Sequence, residues 1–165
     1  MAAQVAGGAF STCVRTTGGE LLACGWSEDG QLGLGQVSDD RVRRLTGVPV
    51  PAPVKQLACG GYQTCVLTVD GAVLTCGDNE QGQLGLNGVP TGEGNLDARV
   101  PELRPVALPG EAAQVECGLS HTFAVSAGGA LLGWGHNDDG QLGIGHRDDQ
   151  SLPQPVPLPA RVPRV

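Results

Sequence analysis

Gly30-Gln31-Leu32-Gly33 recurs as Gly82-Gln83-Leu84-Gly85 and again as Gly140-Gln141-Leu142-Gly143, at spacings of 52 residues (30 to 82) and 58 residues (82 to 140). The same two shifts superimpose Thr12, Thr64 and Thr122; Gly19, Gly71 and Gly129; Leu22, Leu74 and Leu132; and Gly25, Gly77 and Gly135. Self-similarity at this period marks an architecture of stacked repeats, each of which buries its apolar face only against a neighbour. The six extra residues between the second and third copies (58 − 52) fall within the stretch Asn87 to Arg104, rich in Gly, Pro and polar side chains, where a surface loop tolerates insertion.

Each copy contains a hairpin. Thr12 to Thr16 and Glu20 to Cys24 flank Gly18-Gly19; Thr64 to Thr68 and Ala72 to Cys76 flank Asp70-Gly71; Thr122 to Ser126 and Ala130 to Trp134 flank Gly128-Gly129. Gly-Gly and Asp-Gly suit a two-residue turn with positive φ angles. Such a turn sets the register, placing Cys13 opposite Cys24, Cys65 opposite Cys76 and Phe123 opposite Trp134. On this reading two Cys–Cys pairs are jointly replaced by one aromatic pair, which points to direct contact.

After each hairpin a polar run, Trp26-Ser27-Glu28-Asp29, Asp78-Asn79-Glu80-Gln81 or His136-Asn137-Asp138-Asp139, leads into Gly-Gln-Leu-Gly. Side chains that hydrogen-bond their own backbone, followed by Gly, describe a compact turn, with Leu32, Leu84 and Leu142 as plugs into the core. Pro-flanked segments follow, Val48 to Val54, Pro105 to Leu108 and Pro155 to Leu158. Because Pro confines a strand to a sheet edge, each is expected to be an edge strand leading into an inner strand, Lys55 to Cys59 or Gln114 to Cys117. Four strands per ~50 residues make a propeller blade. The expected fold is therefore all-β, a single partial β-propeller of about three blades with four antiparallel strands each. Repeats fall at about 1–47, 48–104 and 105–154, with 155–165 the edge strand of a further blade.

Leu57-Ala58-Cys59-Gly60 through Thr64, then Asp70-Gly71, Cys76-Gly77-Asp78-Asn79 and Gly82-Gln83-Leu84-Gly85, resembles the repeat of the regulator of chromosome condensation family, and the resemblance runs from about Val5 to Pro157. It implies blades of a seven-bladed propeller. It also implies a choice of roles, since the founding member promotes guanine-nucleotide exchange on the small GTPase Ran. No match to that member's inserted wedge is visible. Three repeats cannot close such a ring, and an open arc would leave strand edges and apolar faces uncovered. The expectation is a fragment, a subunit of a multi-chain ring, or an arc held by a partner, with further blades supplied by the same or another chain.

Composition narrows the function. The 165 residues carry a net charge of −7, which argues against nucleic acid as the default partner, since non-specific affinity for phosphate comes from Lys and Arg. Arg41, Arg43 and Arg44 follow Asp39-Asp40 and read as a solvated connection between repeats. Mean hydropathy is −0.04, and no apolar run approaches the ~20 residues of a membrane span. Met1-Ala2-Ala3-Gln4 lacks a basic segment leading into an apolar one, so an intracellular chain, cytoplasmic or nuclear, is expected.

Six cysteines without a C-x-x-C spacing argue against zinc, and reduced, core-facing thiols are expected. Cys59 and Cys117 hold equivalent positions suited to small buried residues. His121 stands where Gln63 and Ser11 stand in the other copies, which suits a turn-anchoring hydrogen bond. His136 and His146 lie beside Asp138-Asp139 and Asp148-Asp149, in loops that recur in every repeat. No nucleophile motif, phosphate loop or dinucleotide fingerprint is present, so no catalytic residue and no cofactor is assigned. The expected function is a non-catalytic protein-interaction scaffold. Its candidate loops carry Trp26, Glu28 and Asp29; Asp78, Asn79 and Glu80; and His136, Asp138 and Asp139, an acidic rim suited to a basic partner surface. Exchange on a Ran-type GTPase and a structural role in a large assembly are the alternatives.

Overall fold

The computed structural model describes residues 1–159, which form three four-stranded antiparallel sheets. Sheet one contains β1 (Ala2–Gly7), β2 (Ser11–Thr16), β3 (Leu21–Ser27) and β4 (Ser38–Val48). Sheet two contains β5 (Val54–Cys59), β6 (Gln63–Thr68), β7 (Val73–Asp78) and β8 (Arg99–Pro105), the last preceded by a 3-10 turn at Leu96–Ala98. Sheet three contains β9 (Ala112–Cys117), β10 (His121–Ser126), β11 (Leu131–Gly135) and β12 (Gln150–Pro155). Strand order within each sheet follows the sequence. β5 packs on β1 and β2, and β9 packs on β5 and β6, so the first strands lie on a shared inner side and the sheets are successive blades of a partial propeller.

The hairpins form where expected, but one residue out of the expected register. Cys13 pairs with Ala23 and Thr12 with Cys24; Cys65 pairs with Thr75 and Thr64 with Cys76; Phe123 pairs with Gly133 and Thr122 with Trp134. The cause is the turn. A two-residue type I′ turn needs positive φ at both central residues, whereas only the second of each pair has it: Gly19 at +80°, Gly71 at +81° and Gly129 at +85°. Thr16 N–H donates to Glu20 O at 3.0 Å and Gly19 N–H to Thr16 O at 3.0 Å, closing a three-residue loop with a left-handed glycine at its end. A one-residue slip sends side chains to opposite faces. Cys13 and Cys24, Cys65 and Cys76, and Phe123 and Trp134 are therefore not cross-strand pairs, and the six cysteines stand as free thiols.

The edge strands also differ from expectation. They are β4, β8 and β12, each the last strand of its sheet, and the Pro-flanked segments after β4 and β8 are connections between sheets. Proline cannot donate to a ladder, yet on a fourth strand only one side is paired, so Pro101, Pro105, Pro153 and Pro155 are accommodated within β8 and β12. Residues 156–159 form no strand, and the rest of the edge strand expected at 155–165 lies outside the described residues. Arg41, Arg43 and Arg44 belong to β4, not to a loop. An exposed edge strand needs no apolar alternation, and its charges discourage pairing with other chains.

The core lies between the sheets. Leu32, Leu84 and Leu142 are 1%, 0% and 1% exposed, each worth about 1.5–3 kcal/mol of burial. The Gly-Gln-Leu-Gly turns also join neighbouring blades. Thr64 Oγ1 donates to Gln31 O at 2.7 Å, and Thr122 Oγ1 to Gln83 O at 2.8 Å. On the inner side the Gln4 amide clamps Leu57, donating to its O and accepting from its N–H at 2.9 Å each. Gln56 does the same to Val115, at 2.9 and 3.1 Å. Val54 N–H donates to Gly19 O at 2.8 Å and Ala112 N–H to Gly71 O at 2.9 Å. Each junction is thus closed by the same set of backbone-directed bonds. Among the described residues, no helix is long and apolar enough to cross a membrane.

Candidate functional site: the loop end of sheets one and two

The starts of β2, β6 and β10 and the ends of β3, β7 and β11 share one end of the blades, because paired antiparallel strands place Ser11 opposite Gly25 and Gln63 opposite Gly77. Gly25 and Gly77 have φ of +120° and +116°, and a Cβ on either would lie 2.3 or 2.2 Å from the carbonyl of Phe10 or Tyr62. The absent side chain lets the chain fold close over itself: Trp26 N–H donates to Phe10 O at 2.9 Å and Asp78 N–H to Tyr62 O at 3.0 Å.

These turns bring three aromatic rings together. Phe10 meets Trp26 edge-on at 5.4 Å between centroids and Tyr62 at 5.8 Å, the latter across the junction of the two blades. With Gly25 and Arg41 they line a cleft of about 310 Å³. Trp26 was legible in sequence as a candidate. Phe10, Tyr62 and Arg41 were not, although Phe10 and Tyr62 hold equivalent repeat positions (10 to 62, the 52-residue shift), a signal that the spacing contains.

The acidic loop residues gather beside this cleft. Arg99 at the start of β8 reaches Asp29 at 3.1 Å and Glu28 at 3.7 Å, tying the first blade's turn to the second blade. Burial raises the Asp29 carboxyl above its usual value; Arg99 opposes this, while the charges of Asp78, Glu28 and Glu80 reinforce it. Asp29 is therefore close enough to Asp78, Glu28 and Glu80 to feel their charges. Asp78 is also occupied locally, its carboxylate accepting from Glu80 N–H at 3.0 Å and from Gln83 Nε2 at 2.6 Å. Asn79 is buried and ties the loop shut, donating to Pro90 O at 3.3 Å and accepting from Leu84 N–H at 3.0 Å. Glu80 anchors the longer loop by accepting from Gly94 N–H at 2.8 Å. Asn79 thus builds the surface and does not present itself on it.

The third loop stands apart. His136 Nδ1 lies 3.3 Å from Asp149 Oδ1, and Asp139 N–H donates to Gln141 Oε1 at 3.0 Å. Ligand-type atoms of His136, Asp138 and Asp149 lie within 4.8 Å of one another, the one such grouping among the described residues. Asp149 already accepts from Asn137 N–H at 2.6 Å, so it serves to close the loop.

Stacked four-stranded sheets joined through their turns, with a partly open aromatic cleft at the loop end, define a propeller-repeat protein. The regulator of chromosome condensation (RCC1) repeat matches residues 18–67, 70–125 and 128–165, and a second model of that repeat matches 2–31, 54–83 and 112–141. The chain belongs to this family. It is 34% identical over 157 residues to the ultraviolet-B receptor UVR8 of Arabidopsis thaliana, covering 94% of this chain and 34% of that protein. It is 39% identical over 133 residues to the secretion-regulating guanine nucleotide exchange factor of Mus musculus, covering 80% of this chain and 27% of that one. The chain thus spans about a third of the length of these relatives. Among solved structures it is similar to Prp20p from Saccharomyces cerevisiae, with a TM-score of 0.85 at 24% identity over 96% of this chain and 39% of that one. It is likewise similar to human WBSCR16, with a TM-score of 0.82 at 24% identity over 95% and 38%. These structural likenesses concern the fold.

Proposed function

We propose that this chain is a non-catalytic interaction scaffold that recognises a protein partner through the loop end of sheets one and two. The observation that carries the reading is the meeting of Phe10, Trp26 and Tyr62. The chain has five aromatic residues (two Phe, two Trp, one Tyr), and three of them converge on one cleft while Phe10 stays 54% exposed. Open apolar area costs about 25 cal/mol per Å² relative to burial, and half-open Trp and Tyr beside an Arg have the composition of an interface centre. Glu28, Asp29, Asp78 and Glu80 supply a negative border, which suits a partner offering an apolar side chain flanked by Lys or Arg. The test is affinity purification with quantitative mass spectrometry. Partners lost by the Phe10→Ala/Tyr62→Ala double variant and kept by Val69→Ser, at the opposite end of sheet two, support the reading; an unchanged partner set defeats it.

The mouse relative, named as a guanine nucleotide exchange factor, favours a second reading, exchange on a Ran-type small GTPase. Exchange would proceed by surface contact that displaces bound nucleotide, with no bond made or broken by the protein. Release of a fluorescent guanine nucleotide from a panel of small GTPases distinguishes the two: acceleration by substoichiometric chain establishes exchange, and an unchanged rate leaves the scaffold.

A further inference from the structure

Cysteine recurs in register at both blade junctions inside the chain. Cys13 on β2 and Cys65 on β6 hold equivalent repeat positions (a shift of 52), as do Cys59 on β5 and Cys117 on β9 (a shift of 58). β5 packs on β2 and β9 packs on β6, so each junction holds one thiol from either side.

At the first junction a threonine hydroxyl sits between the two sulfurs. Thr64 lies opposite Cys59 on the neighbouring strand, and its Oγ1 is held in place by donating to Gln31 O at 2.7 Å. Cys13 Sγ and Cys59 Sγ each lie 3.8 Å from that oxygen, one from each blade. At the second junction Thr122 lies opposite Cys117, with its Oγ1 4.0 Å from Cys117 Sγ, and donates to Gln83 O at 2.8 Å. Cys13 is in hydrogen-bond contact with Cys59, and Cys65 with Cys117. Cys13 and Cys65 are fully buried, whereas Cys59 and Cys117 are half-exposed. An accessible thiol beside a sealed one is the arrangement of a peroxide-reactive cysteine and its resolving partner. Cys76 stands aside: its thiol donates to Gln31 O at 3.8 Å, and Trp134 takes the equivalent place in the third blade.

We infer that Cys59 and Cys117 are sites of oxidation by hydrogen peroxide, each resolved by the buried thiol of the blade before it, Cys13 or Cys65, into a disulfide that ties successive blades together. The half-exposed thiol attacks the peroxide, the O–O bond breaks, and the products are a sulfenic acid and water. The buried thiol then attacks that sulfur: the S–S bond forms, the S–O bond breaks, and the departing hydroxide takes the thiol's proton and leaves as water. Two thiols thus give up two electrons to one peroxide, and two waters are released. Because the leaving group accepts the proton, the sealed thiol needs no solvent to ionise it. The links span 46 residues (13 to 59) and 52 residues (65 to 117), and closing loops of that length withdraws much conformational freedom from the unfolded chain. Oxidation then converts three blades held by packing and hydrogen bonds into one cross-linked arc.

Peptide mapping by tandem mass spectrometry tests this on the native full chain, treated with hydrogen peroxide and then blocked with N-ethylmaleimide in denaturant. The expected products are peptides joining Cys13 to Cys59 and Cys65 to Cys117, with Cys24 and Cys76 in neither link. Cys59→Ser abolishes the first link and leaves the second, Cys117→Ser does the reverse, and circular dichroism confirms the fold of each. The linked chain gains about 5 °C or more in Tm, a gain reversed by dithiothreitol and absent from the double variant. Thiols recovered intact, or sulfinic acid at Cys59 and Cys117 without linkage, overturn the inference. So do links scattered among all six cysteines, and so does a linked chain no more stable than the reduced one, since the fold then accommodates the bridges only under strain.

Discussion

The Thr64 hydroxyl donates to the Gln31 carbonyl at 2.7 Å across the junction between the first two blades, and both residues are buried. Replacing Thr64 with Val keeps the shape and leaves that carbonyl without its hydroxyl donor, a loss of about 1–3 kcal/mol. For a chain of this size that is a fall in Tm of about 2–4 °C per kcal/mol. Thr12→Val removes the equivalent hydroxyl from an open face and should leave the Tm of the monomer within about 2 °C of wild type. Thermal unfolding followed by circular dichroism compares the two; equal shifts would show that the junction bond contributes nothing.

Gly85 and Gly143 share a φ of +68°, but their surroundings differ. A Cβ on Gly85 would come within 2.7 Å of Trp134 Nε1 in the next blade, whereas on Gly143 the nearest atom is 3.9 Å away. Alanine at either site pays the left-handed backbone cost of about 1–2 kcal/mol. Gly85→Ala adds the displacement of a fully buried Trp, about 1–3 kcal/mol more. Chemical denaturation of the two variants should show that difference.

The repeat, the hairpins and the leucine plugs could be read from Gly-Gln-Leu-Gly and its flanks because glycine φ angles and apolar plugs are local demands. Turn type was not legible. Gly18-Gly19 satisfies a turn needing one left-handed residue as well as one needing two, and the two are separated by the φ of Gly18 and by the backbone bonds Gly19 to Thr16 and Thr16 to Glu20, which the sequence does not show. β4 was hidden for another reason: Ser38–Val48 is charged and exposed on its free edge, so no alternation marks it as a strand. Of the candidate surface, Trp26 and the loop carboxylates were visible in sequence. The cleft was not, because it forms only when Tyr62 of one blade meets Phe10 of the one before.

The cysteines should divide by junction. A hydrogen bond shared with Cys59, then burial, holds the Cys13 thiol far above the usual range; Cys117 and then burial do the same to Cys65, and burial first to Cys76. The thiolate is the reactive form. Ellman's reagent at pH 8 should therefore modify the half-exposed Cys24, Cys59 and Cys117 in the native chain and reach Cys13, Cys65 and Cys76 only after unfolding. Equal rates at all six would mean that the junctions open readily.

His121 gives a pH dependence of known sign. Burial first, and the charge of His136 second, hold it below the usual imidazole value, so the folded chain binds this proton less readily than the unfolded one. Its contribution is complete above the unfolded value and is lost as pH falls through the folded one. Tm should drop between about pH 7 and 5, and His121→Gln, the residue found at position 63, should reduce that drop. Asp29, raised by burial, acts in the opposite sense: its contribution is present at low pH and lost as pH rises through its folded value. A Tm profile unchanged by His121→Gln would remove His121 as the source.

The two asparagines that lace the loops shut have a practical corollary. Asn79 grips Pro90 O, and Asn137 grips His146 O at 2.8 Å, although the stretches they enclose differ in length and composition. With the loop stem fastened by one buried amide, the segment beyond it behaves as an interchangeable cassette. A foreign epitope spliced between Asn87 and Gly88, both exposed and ahead of the gripped Pro90, would be displayed on the second blade while the masonry beneath kept its shape.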